Sequence, residues 1–210
     1  MLILDLDNTI YNTLTINRTV FSPVIEVLKK YYGNKFNETK ANDVIGDFWT
    51  KPIDVVLKTH SPPKSIENAI FKSLENISFN DLKINPYYDY VYLKGIQQPK
   101  ILVTTGYESF QNAKIKALGI ENDFVGVYID DPRASNRLFK AGIFEKIIYT
   151  YNKMPEEFWV IGDNPDSEIT AGSKLGMKTI QRKTREYEVS KQSDYVIESF
   201  VELERIIDKE

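Results

Sequence analysis

Two carboxylates stand two residues apart near the head of this chain. The stretch Leu2-Ile3-Leu4-Asp5-Leu6-Asp7-Asn8-Thr9 sets Asp5 and Asp7 directly after a short apolar run. In extended chain they are separated by roughly 6 to 7 Å. Acids this close repel unless a cation lies between them or one holds a proton. Such a pair could grip a hard metal ion or move protons. Further groups of the same character lie downstream: Thr104-Thr105-Gly106, Lys140, and Gly162-Asp163 followed by Glu168. Each has an ordinary explanation by itself. An Asp or Thr after the first strand, or Thr104, could cap a helix. Gly162-Asp163 could be a turn, Lys140 one of many surface lysines, and Glu168 a residue that favours a helix start. Only their falling together at one place would make them a site.

The elements that must position them follow from hydrophobic periodicity. Residues 2–4 read as a strand buried on both faces, since the apolar run is continuous and ends in polar residues. Residues 100–104, 124–129, 158–161 and 178–181 read as further strands, with 195–197 a sixth. Helical patterns at 87–95, 109–118, 138–151, 169–175 and 201–207 alternate with them. That alternation predicts an α/β fold, a Rossmann-like parallel sheet core with helices on both faces. Chemistry in such sheets collects at the carboxyl ends of the strands, and Asp5, Asp7, Thr104 and Asp163 all fall there. Between 13 and 85 only helical spacing is found, at 16–32, 39–49, from 53, and 65–76. Pro23 is expected to kink the first of these or split it, and Gly33 to stop it. The expected domains are therefore a core of 1–12 with 86–210, and an all-helical cap of 13–85 inserted after the first strand, placed to become a lid over the strand ends.

Composition narrows the classes. With 210 residues, 42% apolar and 27% charged, the chain reads as an ordinary soluble globular protein. A net charge of −3 with scattered Lys and Arg gives no footprint for nucleic acid. The absence of cysteine excludes disulfides, thiolate metal sites and cysteine nucleophiles. The single histidine, His60, excludes a multi-histidine zinc site; placed before Ser61-Pro62-Pro63, it reads as a loop residue. Arg18 reads as a solvated charge. No apolar run approaches the roughly 20 residues of a membrane span, and the first residues are strand-like, not a signal peptide. The expected location is cytoplasmic, with no membrane partner. Nothing in the sequence indicates an oligomeric state.

These acids, threonines and the lysine resemble, in the same order, the four motifs of the haloacid dehalogenase superfamily of hydrolases, in its phosphatase branch with a small helical cap. The motif Asp-x-Asp-x-Thr matches Asp5-Leu6-Asp7-Asn8-Thr9, and the apolar strand ending in Thr or Ser matches Thr104. The motif lysine is matched by Lys140 in Lys-Ala-Gly-Ile-Phe, and Gly-Asp-x-x-x-x-acid by Gly162-Asp163 through Glu168. The resemblance covers nearly the whole chain. Lys140 lacks the common Lys-Pro setting, so Arg137 and Lys146 compete with it as the phosphate-site cation. Glu168 stands where Asp is usual.

The resemblance implies a Mg²⁺-dependent phosphomonoester hydrolase. Asp5 would be the nucleophile, passing through an aspartyl-phosphate. Mg²⁺ would be held by Asp5, Asp163 and the main-chain carbonyl of Asp7. Lys140 and Thr104, with Thr105 and Gly106, would bind the phosphoryl group. Asp7 would act as general acid and then base, its pKa raised by neighbouring carboxylates, while Glu168 and Thr9 support from behind. The chemistry is coherent: a carboxylate of pKa about 4 is ionised at neutral pH and needs no base. Cations must offset the meeting of two anions, and an alkoxide leaving group needs a proton. Asp7 favours phosphate esters over dehalogenation, since a departing halide needs none. The implied substrate is a small phosphorylated metabolite, a nucleotide or sugar phosphate. A phosphomutase or a dehalogenase of the same fold stays open. So does a non-catalytic regulatory module, either ligand-binding or phospho-accepting, in which Asp130 after the third strand would be the acceptor.

Overall fold

The computed structural model describes residues 1–78 and 82–208. The chain forms two compact units, Ile16–Lys83 and Met1–Thr15 with Ile84–Glu210.

The first of these is helical, with no strand among its described residues. A 3-10 turn, Arg18–Phe21, leads into α1 (Ser22–Leu28), which runs on through a wider turn at Lys29–Gly33. Pro23 lies in the first turn of α1, where its missing N–H costs nothing, so it starts the helix and does not kink it. Gly33 does not stop the run, because the backbone stays helical to residue 35. Next come α2 (Glu38–Thr50), α3 (Ile53–His60) and α4 (Lys64–Glu75). Asn37 caps α2 by accepting from the Lys40 N–H at 2.8 Å. Pro52 and Pro63 stand just before α3 and α4. Val24, Leu28, Tyr32, Val44, Val56 and Ile70 are buried in this unit. His60 ends α3 instead of lying in a loop, because its ring is held on both sides: Nε2 lies 2.8 Å from Asp47 and Nδ1 3.0 Å from Lys40 Nζ. Arg18 is exposed, with its guanidinium 4.9 Å over the Trp49 ring.

The second unit is built on β1 (Leu2–Leu4), β2 (Lys100–Thr105), β3 (Gly126–Asp130), β4 (Trp159–Gly162), β5 (Lys178–Arg182) and β6 (Tyr195–Ile197). They pair in the order β3-β2-β1-β4-β5-β6, every neighbour parallel, as strand–helix alternation predicts. The helices are α5 (Tyr90–Gly95), α6 (Glu108–Leu118), α7 (Phe139–Tyr151), α8 (Thr170–Lys174) and α9 (Leu203–Ile207). Ile3, Ile101, Val103 and Val160 of the sheet form one core with Ile143, Phe144 and Ile147 of α7. α5 begins three residues later than periodicity suggests, and Tyr88 and Tyr92 are exposed, so core packing accounts for Tyr90 but not for them. No helix among the described residues is long and apolar enough to cross a membrane.

Strand order fixes where a site can form. From β1 the chain winds outward to β2 and β3 on one side, then returns to β4 and winds outward on the other. At such a reversal the loops leave in opposite directions and open a crevice at the carboxyl ends of the two middle strands. Those strands are β1 and β4, whose next residues include Asp5 and Asp163.

Candidate active site

The β1–β4 ladder delivers the first two acids side by side. Leu4 is in register with Ile161, and the Asp5 N–H donates to the Ile161 carbonyl at 2.9 Å. Glu168 joins them from a wide helical turn, Pro165–Ile169, that opens after β4 and leads into α8. Carboxylate oxygens of Asp5, Asp163 and Glu168 all lie within 4.8 Å of one another, and all three residues are buried. Gly162 makes this packing possible. A Cβ there would sit 2.2 Å from Glu168 Oε1 and 2.3 Å from its Cγ, so only glycine lets Glu168 cross the end of β4. The Asn164 N–H then holds Glu168 Oε1 at 2.7 Å.

Lys140, in the first turn of α7, donates to Asp5 Oδ1 and to Glu168 Oε2, each at 2.6 Å. Its competitors are engaged elsewhere. Arg137 forks onto Asp130 at 2.8 and 2.7 Å, and Lys146 lies 5.8 Å over the Tyr128 ring. Asp130, buried under Arg137, also accepts from the Thr105 hydroxyl at 3.2 Å. Phe139, just before Lys140, has φ +55. A bulky side chain rarely adopts that conformation, and local strain of this kind is stored where surrounding structure demands it.

Asp163 is met by two hydroxyls at 3.5 Å, from Thr9 and from Thr184. Burial, reinforced by the charges of Asp5 and Glu168, pushes its carboxyl up to about 8. Burial likewise pushes Asp5 up to about 7, with Lys140 opposing and Glu168 and Asp7 adding to the rise. An ordinary, fully ionised Asp5 is therefore not what this pocket holds by itself. Burial alone would lower the Lys140 pKa, but the flanking charges of Asp5 and Glu168 outweigh it and raise it. Once their protons are shed, three buried carboxylates against one ammonium leave a surplus of negative charge on oxygen donors, which suits a hard divalent cation.

Asp7 faces a different environment. Its Oδ1 accepts from Tyr11 at 2.5 Å and from Lys114 at 2.6 Å, and its Oδ2 from Lys114 at 2.9 Å and Gln111 at 3.0 Å. Burial would raise its pKa, but the charge of Lys114, with these hydrogen bonds, outweighs it and holds the carboxyl below its usual range. That is a correction, since neighbouring acids were expected to raise it. The turn that follows depends on Asn8 at φ +57, a left-handed conformation Asn tolerates, with its Oδ1 accepting from the Thr13 N–H at 3.1 Å.

At the end of β2, Gln111 Nε2 lies 2.5 Å from Thr104 Oγ1 and 3.1 Å from the Thr105 carbonyl. A Thr104 hydroxyl that accepts from Gln111 keeps its own proton to donate. Gly106, at φ +154, leaves room for this amide, because a Cβ there would meet Gln111 Cδ at 2.9 Å.

Asp5, Lys140, Asp163, Glu168 and Thr9 thus share one cluster, and Asp7, Thr104, Thr105 and Gly106 a second, through Gln111. Tyr11, Gln111, Lys114 and Thr184 did not emerge from sequence reasoning. Gln111 and Lys114 carried a readable signal, since with Ile115 and Leu118 they complete the i, i+3, i+4, i+7 stripe of α6, where apolar residues belong.

The chain is similar to known proteins over most of its length. The profile of the haloacid dehalogenase-like hydrolases matches residues 2–181. A curated relative, the glyceraldehyde 3-phosphate phosphatase of Pyrococcus furiosus, is 30% identical over 114 residues, covering 52% of this chain and 47% of that protein. The match therefore spans about half the length of that relative. Among solved structures, a haloacid dehalogenase-like family hydrolase from Streptococcus pneumoniae has a TM-score of 0.70 at 17% identity, covering 98% of this chain and 97% of that one. A HAD phosphatase from Thermococcus onnurineus gives 0.66 at 19% identity, covering 98% and 96%. These structures share the fold. With the family profile matched over residues 2–181, the chain belongs to the haloacid dehalogenase-like hydrolases.

Proposed function

We propose that this enzyme is a Mg²⁺-dependent phosphatase acting on a small phosphorylated metabolite through an aspartyl-phosphate at Asp5. The observation that carries the reading is the Asp5 carboxylate at the sheet's reversal point, held at 2.6 Å by Lys140 and clustered with Asp163 and Glu168. Asp5, Asp163 and the main-chain carbonyl of Asp7 are the groups that would hold Mg²⁺, which when bound supplies the positive charge that lets two anions meet. Lys140 offsets charge on the same side, and Thr104 donates its free proton to a phosphate oxygen. An Asp5 oxygen attacks phosphorus, the ester P–O bond breaks, and the leaving oxygen takes a proton through Asp7. That proton enters with a monoanionic ester, whose charge beside Asp7 raises the acid's proton affinity. Asp7 then accepts a proton from the water that attacks the phosphoryl group, Asp5 is released as a carboxylate, and the proton on Asp7 leaves with the inorganic phosphate as its monoanion.

The relative from Pyrococcus furiosus adds a triose phosphate to the sugar phosphates and nucleotides worth testing. The test is release of inorganic phosphate from 4-nitrophenyl phosphate and from such a panel, with and without Mg²⁺. Turnover that stops in chelator, returns with Mg²⁺ and vanishes in Asp5→Asn is the expected result. No release from any ester, full activity in chelator, or near-wild-type activity of Asp5→Asn would overturn it.

A further inference from the structure

Lys114 is the most deeply buried lysine among the described residues. It lies on the buried stripe of α6 with its side chain only 5% exposed, and lysine is almost never buried without a partner. Its partner is Asp7, touched at both oxygens, at 2.6 and 2.9 Å. Two rings flank the ammonium, Phe110 at 4.6 Å and Tyr11 at 5.8 Å. The Asp7 side chain is 28% exposed. The cation therefore sits behind the acid, and the acid faces outward. Gln111, one turn earlier on the same face, grips the same carboxylate and reaches Thr104. Solvent reaches Asp7 and barely reaches Lys114.

We propose that Lys114 is the positioning residue for Asp7: from behind, and with Gln111 beside it, it aims the carboxylate at the leaving-group oxygen of an ester held by Thr104. The inference rests on the reading that Asp7 transfers the proton. It explains why α6, and not only the strand loops, belongs to the catalytic apparatus. It also explains Gly106, whose missing Cβ leaves space for Gln111. A side chain with four free torsions would otherwise lose much entropy on burial for no structural return.

The experiment compares kcat/KM for phenyl phosphate and for 4-nitrophenyl phosphate, because this constant reports steps up to the first irreversible one. The nitrophenolate departs readily without a proton; phenolate benefits from one. Loss of aim at Asp7 is therefore expected to penalise phenyl phosphate selectively. Lys114→Met is expected to lower kcat/KM on phenyl phosphate by about 100-fold, and on 4-nitrophenyl phosphate by less than about tenfold. Lys114→Arg, keeping charge and donors, is expected to restore most of the difference. Equal losses on both esters, or none on either, would overturn the proposal. Thermal unfolding of each variant separates loss of aim from loss of fold. If Lys114→Met does not fold, Gln111→Met, which removes the second grip, must show the same selective loss or the proposal fails. Wild type inactive on both esters would instead overturn the phosphatase reading, and the inference with it. Asp5→Asn supplies the zero for either ester.

Discussion

Asp5 and Asp163 sit in a pocket that resists their charge, and this has a consequence for pH. Their carboxyls are raised to about 7 and about 8, well above the unfolded-chain value of about 4. Between those limits the folded, metal-free protein holds protons that the unfolded chain has released. This contribution to stability is complete below about pH 4 and is lost as pH rises through about 7 to 8. The unfolding temperature of the metal-free protein is therefore expected to fall across that window, and to fall less in Asp163→Asn, whose amide does not titrate. A slope identical in the two proteins would contradict the assignment. Gly162 offers a second test at this scale. In Gly162→Ala the new methyl lands on Glu168, whose displacement would loosen Lys140 from one of its two acids. A cost of about 1–3 kcal/mol in stability is expected, with kcat reduced at least about tenfold, measured by denaturant unfolding and phosphate release.

Among elements, the sheet was legible because its strands have nothing else to be. Leu2-Ile3-Leu4, Ile101-Leu102-Val103 and Val160-Ile161 are apolar on both faces, and only a central parallel strand buries both. The acids after β1 and β4 followed from the same runs. What stayed hidden turns on side-chain direction and local context. Pro23 breaks a helix interior but suits a first turn, and one-dimensional spacing does not say which it occupies. His60 looked like a loop residue because Asp47 and Lys40 meet it only once the helices pack. The pKa of Asp7 was misjudged because the charge nearest it in sequence is the acid Asp5, while its partners in space are Lys114, Gln111 and Tyr11. α6 supplies the element-scale prediction. Gly106→Ala crowds Gln111 and strains the backbone at φ +154. It is expected to reduce kcat/KM on phenyl phosphate more than on 4-nitrophenyl phosphate, mimicking Lys114→Met more weakly.

For the molecule as a whole, cation binding and stability are linked. A divalent ion that binds the folded chain and not the unfolded one stabilises it by RT ln(1 + [L]/Kd). Its ligands must first shed their protons, so binding strengthens as pH rises through about 7 to 8. The rise in unfolding temperature on adding Mg²⁺ is thus expected to be larger at pH 9 than at pH 6, by differential scanning calorimetry; a larger rise at pH 6 would place the ion away from these acids. Strand order carries one more consequence. β1 has no partner close to it along the chain: its neighbours begin at Lys100 and Trp159. During synthesis Asp5 emerges ahead of both partner strands and then waits for them, because contacts between distant segments form late. Until the fourth strand arrives, a nascent polypeptide carries Asp5 but neither Asp163 nor Glu168 beside it. The three-acid cluster is therefore assembled only once β4 and the turn after it have been made, and under the proposed function a chain stopped before them could not take up a phosphoryl group.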